Sequence, residues 1–117
     1  MIRYLFVSLM FIHGLIHLMG FIRAFGYGVA NQISGEISRF NGMFWLAATL
    51  LFMLASILFL LKNESWLWVA ILACIISQIL IITLWKYAKF GTIANVIIVF
   101  AVLAGTAGKA VQIIFRD

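Results

Sequence analysis

Four apolar runs, Tyr4 to Phe21, Met43 to Leu61, Trp66 to Trp85 and Thr92 to about Phe115, take up most of the 117 residues, and none contains proline. Each is long enough to cross the hydrocarbon layer as a helix, which takes about 20 residues at roughly 1.5 Å per residue. Backbone polar groups in lipid find no water, so an apolar run of this length satisfies them within itself as a helix. With 67% hydrophobic and 9% charged residues, the chain lies outside the range of soluble domains. The sequence predicts an all-α fold, an integral membrane antiparallel four-helix bundle, as one domain spanning 1–117 with no room for a separate soluble domain.

The tryptophans sharpen the boundaries. Trp45 stands near the start of the second run, Trp66 and Trp68 open the third and Trp85 closes it, as interfacial aromatic belts do. The first run follows the basic Arg3, as in a secretory signal, but His13 and His17 interrupt it and no small-residue cleavage site follows, so it reads as a retained helix. The links 62–65 and 86–91 are short and force antiparallel neighbours, whereas 22–42 form a long loop. Within that loop Ser34 and Glu36 fit the start of a short interfacial helix running toward Arg39. A lid over one mouth of the bundle is the alternative reading of the same residues.

The formal charge of +5 comes from basic residues spread thinly at the ends of the apolar runs, which suits anionic lipid headgroups and argues against a nucleic-acid partner. Arg3, Lys62 and Arg116 fall on the face of the termini; Arg23, Arg39, Lys86 and Lys89 fall on the opposite one. The positive-inside rule leans toward the long-loop face being cytoplasmic.

Polar residues inside spanning helices should face other helices, and each run carries one faintly polar stripe. His13 and His17 share theirs with Phe6, Met10 and Gly20; Gly42, Trp45, Thr49, Phe52 and Ser56 form the second. Cys74, Ser77, Gln78, Ile81 and Trp85 form the third, and Asn95, Val99, Val102, Thr106 and Lys109 the fourth. Depth counting puts His13 about 15 Å in from Arg3 and Gln78 about 18 Å in from Trp66, so the two can meet near the midplane. One internal cluster is expected, centred on His13, His17 and Gln78, with Asn95, Asn41 and Thr83 approaching His17 and Thr49 available as a partner.

Several readings of that cluster stand side by side. Neutral histidines hydrogen-bonded to Gln78, Ser77, Thr49 or backbone carbonyls would only pin the helices. Side chains four apart on a helix can chelate one transition metal, with His13 and His17 as ligands and Cys74, Met10, Met53 or water completing the set. A haem is a further reading, although two histidines four apart on one helix cannot occupy opposite axial positions of the same haem. A pocket for a lipophilic ligand such as a quinone, lined by His13, His17, Gln78, Asn95 and Thr49, is the leading reading, in a binding or accessory subunit rather than an enzyme. All three acidic residues, Glu36, Glu64 and Asp117, lie outside the apolar runs, which argues against proton-coupled drug export and against a hard-cation site. Small residues along the fourth run, Ala101, Ala104, Gly105, Ala107 and Gly108, would suit close packing or a homodimer contact.

HGLIHLMGF near the start and SQILIITLWKYAKFGTIANVII over 77–98 resemble a group of small bacterial four-helix membrane proteins, loosely DoxX-like. The resemblance covers nearly the whole chain and rests on His13, His17, Gln78, Trp85, Lys89, Gly91 and Asn95. It implies a bacterial inner-membrane location and association with a larger membrane redox complex and quinone-linked chemistry. The single Cys74 departs from the paired-cysteine site that thiol chemistry in such proteins would need.

Overall fold

A computed structural model describes residues 2–25 and 38–106. Four helices run up and down: α1 (Ile2–Phe25), α2 (Arg39–Leu60), α3 (Trp66–Thr83) and, after the one-turn helix α4 (Trp85–Ala88), α5 (Gly91–Thr106). α1, α2 and α3 are each long and apolar enough to cross a membrane, and α5 is a shorter apolar helix. The body is 44 Å long and about half as wide. The helices form an antiparallel four-helix bundle, with α1 against α2, α2 against α3, α3 against α5, and only a slight direct meeting of α1 with α5. Expectations for Ser34, Glu36 and Lys109, and for the run beyond Thr106, lie outside the described residues.

Each helix is apolar nearly all round, so what distinguishes its inner face is small and polar residues rather than hydrophobicity. The α1 stripe of Phe6, Met10, His13, His17 and Gly20 is buried throughout, as is the α2 stripe of Gly42, Trp45, Thr49, Phe52 and Ser56. Side chains such as Leu5, Ile79 and Phe100 point outward with 60% or more of their surface exposed. Glycines let α1 and α2 approach closely: a Cβ on Gly14 would come within 2.9 Å of the Phe52 Cβ, and one on Gly20 would run into the Trp45 ring. On α5 the buried line is Asn95, Ile98 and Val102, with Val99 turned outward.

The ends are built by local chemistry. Ser38, extended at φ −65 and ψ 157, caps α2 by accepting from the Asn41 N–H at 3.1 Å. At the other end of α2 the chain turns through Lys62 at φ 58, where the Lys62 N–H donates to Phe59 O and the Asn63 N–H to Leu58 O, the paired bonds of a left-handed helix stop. Arg3, only 8% exposed at the start of α1, donates to the carbonyl oxygens of Phe59 and Leu60 and so supplies the cation that the last turn of α2 lacks. The interfacial reading of the tryptophans divides here. Trp68 is exposed, but Trp66 is buried, its ring 5.7 Å from Phe6 and 5.0 Å from Phe59.

The third apolar run is not one continuous helix to Trp85. Thr83 turns its hydroxyl onto Leu80 O at 2.6 Å, Leu84 leaves helical geometry at φ −124 and ψ 37, and α4 carries the chain round to Gly91. That corner sets Phe90 and Gly91 opposite the last turns of α1.

Candidate functional site

Three helices contribute to one buried polar network. On α1 the i, i+4 spacing lets the His17 ring reach back along its own helix, and Nδ1 lies 2.8 Å from the His13 carbonyl oxygen. A carbonyl only accepts, so His17 Nδ1 carries the proton and Nε2 of the neutral ring is an acceptor. Ser77 on α3 lies 2.6 Å from that Nε2 and donates its hydroxyl proton to it. Ser77 Oγ lies 3.3 Å from Asn95 Oδ1 and 3.0 Å from Asn95 Nδ2; with its one proton given to His17 it accepts from Nδ2. The second Nδ2 proton goes to Gln78 Oε1 at 3.1 Å, and Gln78 Nε2 donates to Thr92 Oγ1 at 3.1 Å.

The Asn95 amide is thereby oriented with Oδ1 toward α1, 2.8 Å from His13 Nε2. Oδ1 accepts, so His13 carries its proton on Nε2 and presents a lone pair on Nδ1. A single backbone carbonyl thus fixes every proton from His17 to His13, and the last group in the series is an acceptor. Among the described residues, His13 bonds through Nε2 and no bond is found to its Nδ1, while Trp45 Nε1, a donor on the wall of the neighbouring cavity, is buried without a partner.

His13 also lines that cavity, of about 370 Å³, between α1 and the corner formed by the end of α3, α4 and the start of α5. Ile16, Met19 and Phe90 on its wall are exposed on their outer sides, and Arg23 lies toward the long-loop end. The inner wall is made by His17, Trp45 and Ile81, with the His17 and Trp45 ring centroids 5.2 Å apart. Gly91 is part of this geometry: a Cβ there would stand 2.8 Å from Ile81 Cδ1 and 3.5 Å from His13 Cε1, between the two residues that frame the floor. A second, shallower groove of about 650 Å³ runs between α3 and α5 and touches Gln78 and Asn95 from the other side.

Of the residues singled out from the sequence, His13, His17, Gln78 and Asn95 come together, whereas Thr49 does not. The Thr49 hydroxyl is buried but donates along its own helix to Trp45 O at 3.1 Å. Thr83 bonds within its own helix, and Asn41 belongs to the α2 cap. Gln78 is half-buried and sits at the edge of the network; Asn95, 4% exposed, is its hub. Ser77 holds a more central place than its membership of a stripe suggested, and Thr92 was missed. Its signal was the spacing to Asn95, three residues on along the same face.

The histidine rings meet edge to face, with centroids 4.5 Å apart and planes at 85°, and His17 has both nitrogens engaged. A metal held by both residues would have to take His17 Nε2 away from Ser77. Cys74 lies 4.0 Å from Asn95 O and borders the outer groove rather than the His13 cavity. Among the described residues there is no group of three or more His, Cys, Asp or Glu side chains that could hold a metal ion.

Fold and site together define a class: an all-α bundle of apolar helices with a neutral His–Asn–Ser–Gln network beside a ring-sized cavity. No protein-family model, curated protein or solved structure matches the chain.

Proposed function

We propose that the protein is a small integral membrane binding or accessory subunit, DoxX-like in kind and residing in a bacterial inner membrane, whose cavity beside His13 takes a lipophilic ligand. The observation that carries this reading is the open acceptor of His13, a residue lining a cavity whose wall is mostly apolar. An acceptor left open on a residue that lines a cavity is a place where the donor of a ligand can bind. The volume falls within the range of small-molecule pockets, and the exposed Ile16, Met19 and Phe90 give it an apolar rim facing where lipid tails would be. A ligand dissolved in the bilayer would therefore enter from the side.

Photolabelling tests this directly. An apolar aryl diazirine, added to the protein in lipid vesicles and activated by light, should insert into Met19, Ile81 and Ala94 in excess over the outward-facing Ile79, which lines neither the cavity nor the groove. Ala94→Trp, which fills the cavity from its wall, should suppress that excess. Labelling of cavity and lipid-facing residues in equal proportion, unchanged in the variant, would overturn the reading.

A further inference from the structure

Resting on the pocket reading above, we infer that the cavity selects ligands that donate a hydrogen bond, and that its cognate ligand is an apolar ring bearing a hydroxyl, of the phenol class. The His13 carbonyl holds the His17 proton on Nδ1, Ser77 gives its proton to His17 Nε2, and Asn95 must then turn Oδ1 to His13 Nε2. His13 therefore offers the cavity a lone pair and no proton. A carbonyl, ether or ester oxygen placed against Nδ1 sets acceptor against acceptor, whereas a hydroxyl gives that nitrogen a donor.

The rest of the wall agrees with this class. Ile16, Met19, Ile81, Leu84 and Ala94 offer apolar surface, and the rings of His17 and Trp45 give a flat molecule something to lie against. The cavity of about 370 Å³ matches a substituted aromatic ring rather than a whole phospholipid. Neither of the other two strong features points to a ligand: the groove between α3 and α5 has nothing to show what covers it, and Arg3 is committed to the end of α2.

The test uses two probes of matched size, 4-hexylphenol and 4-hexylanisole, competing with the aryl diazirine in vesicles, with each concentration corrected for its partition into lipid. The phenol should protect Met19, Ile81 and Ala94 about tenfold more effectively than the anisole, the ratio expected for one well-made neutral hydrogen bond. His13→Phe should bring that ratio to about one. Because that variant also cuts the tie to Asn95, nitrogen NMR of ring-labelled wild-type protein supplies an independent reading. His13 should show a protonated Nε2 and a bare Nδ1, and only the phenol should move the Nδ1 resonance. Equal protection by both probes, or a His13 proton on Nδ1, would overturn donor selection while leaving the pocket standing. Protection by neither probe, with no cavity labelling, would overturn both.

Discussion

Asn95 is the residue whose removal should cost this fold most for its size. It is 4% exposed and makes three side-chain bonds, accepting from His13 on α1 and donating to Ser77 and Gln78 on α3. Hydrogen bonds between helices in lipid contribute about 0.6 kcal/mol on average and up to ~1.7 kcal/mol each. Three of them come to about 2 kcal/mol. Asn95→Leu also leaves the His13 Nε2–H buried without an acceptor, which adds a further ~1 kcal/mol or more. A loss of about 3 kcal/mol is therefore expected, read as the midpoint of denaturant unfolding in bicelles followed by helicity. Thr49→Val is the control: Thr49 is equally buried but bonds only within α2, so its loss should stay below about 1 kcal/mol. A double-mutant cycle between His13→Phe and Asn95→Leu should return a coupling of about 0.6 to 1.7 kcal/mol. If Asn95→Leu and Thr49→Val proved equally mild, and the cycle additive, the network would not tie α1 to α5 and the proton assignments built on it would lose their support.

Other substitutions probe the frame around the site. Lys62→Gly should raise stability by about 1 kcal/mol, because Lys62 occupies a left-handed conformation that glycine adopts without the steric cost of a Cβ. Arg3→Leu should lower stability by about 1 kcal/mol through loss of the bonds that close α2, with Arg3→Lys recovering part of it, both measured by thermal unfolding in detergent. Gly20→Ala should cost about 1 to 3 kcal/mol, since the new methyl meets the Trp45 ring, and should shift the indole signal of Trp45 in NMR. Gly91→Ala should be nearly neutral in stability, because the nearest atom is the mobile end of Ile81, yet it should weaken probe binding by narrowing the cavity beside His13.

What the sequence made legible follows from the physics of apolar helices. Inner faces are marked by their polar and small residues, so the stripes through His13 and Gly20 on α1 and through Trp45 and Ser56 on α2 were readable by spacing alone. Depth counting brought α1 and α3 to a common level, and the cluster of His13, His17, Gln78 and Asn95 followed. It could not pair individual atoms. A shift of one helical position exchanges Ser77 for Gln78 as the partner of His17, and a threonine can spend its hydroxyl on its own helix, as Thr49 does. The end of α3 was hidden for a related reason: nothing in the apolar composition of Ile81 to Trp85 distinguishes a continuing helix from the break at Leu84. Burial of Trp66 was equally illegible, since an indole suits both an interface and a packed aromatic cluster with Phe6 and Phe59.

Pinning the helices and binding a ligand are usually set against each other as explanations of polar groups in a membrane interior, but here one network accounts for both. α1 and α5 meet only slightly, and the cavity opens along that seam. The His13–Asn95 bond crosses the same seam, so the contact that keeps the two helices registered also fixes the tautomer that faces the cavity. Neither His17 nor Ser77 offers a ligand a hydrogen bond under this arrangement, since the His17 nitrogens and the Ser77 proton are already engaged. They act one step back, since breaking the Ser77–His17 bond would free a proton on Ser77, allow Asn95 to turn over, and change what His13 offers. Ser77→Ala should therefore do more than remove a bond. It should leave His17 in place through its own backbone contact while loosening the His13 tautomer, lowering the preference for 4-hexylphenol over 4-hexylanisole without abolishing cavity labelling. A Ser77→Ala protein with the preference intact would show that Asn95 is oriented by Gln78 alone.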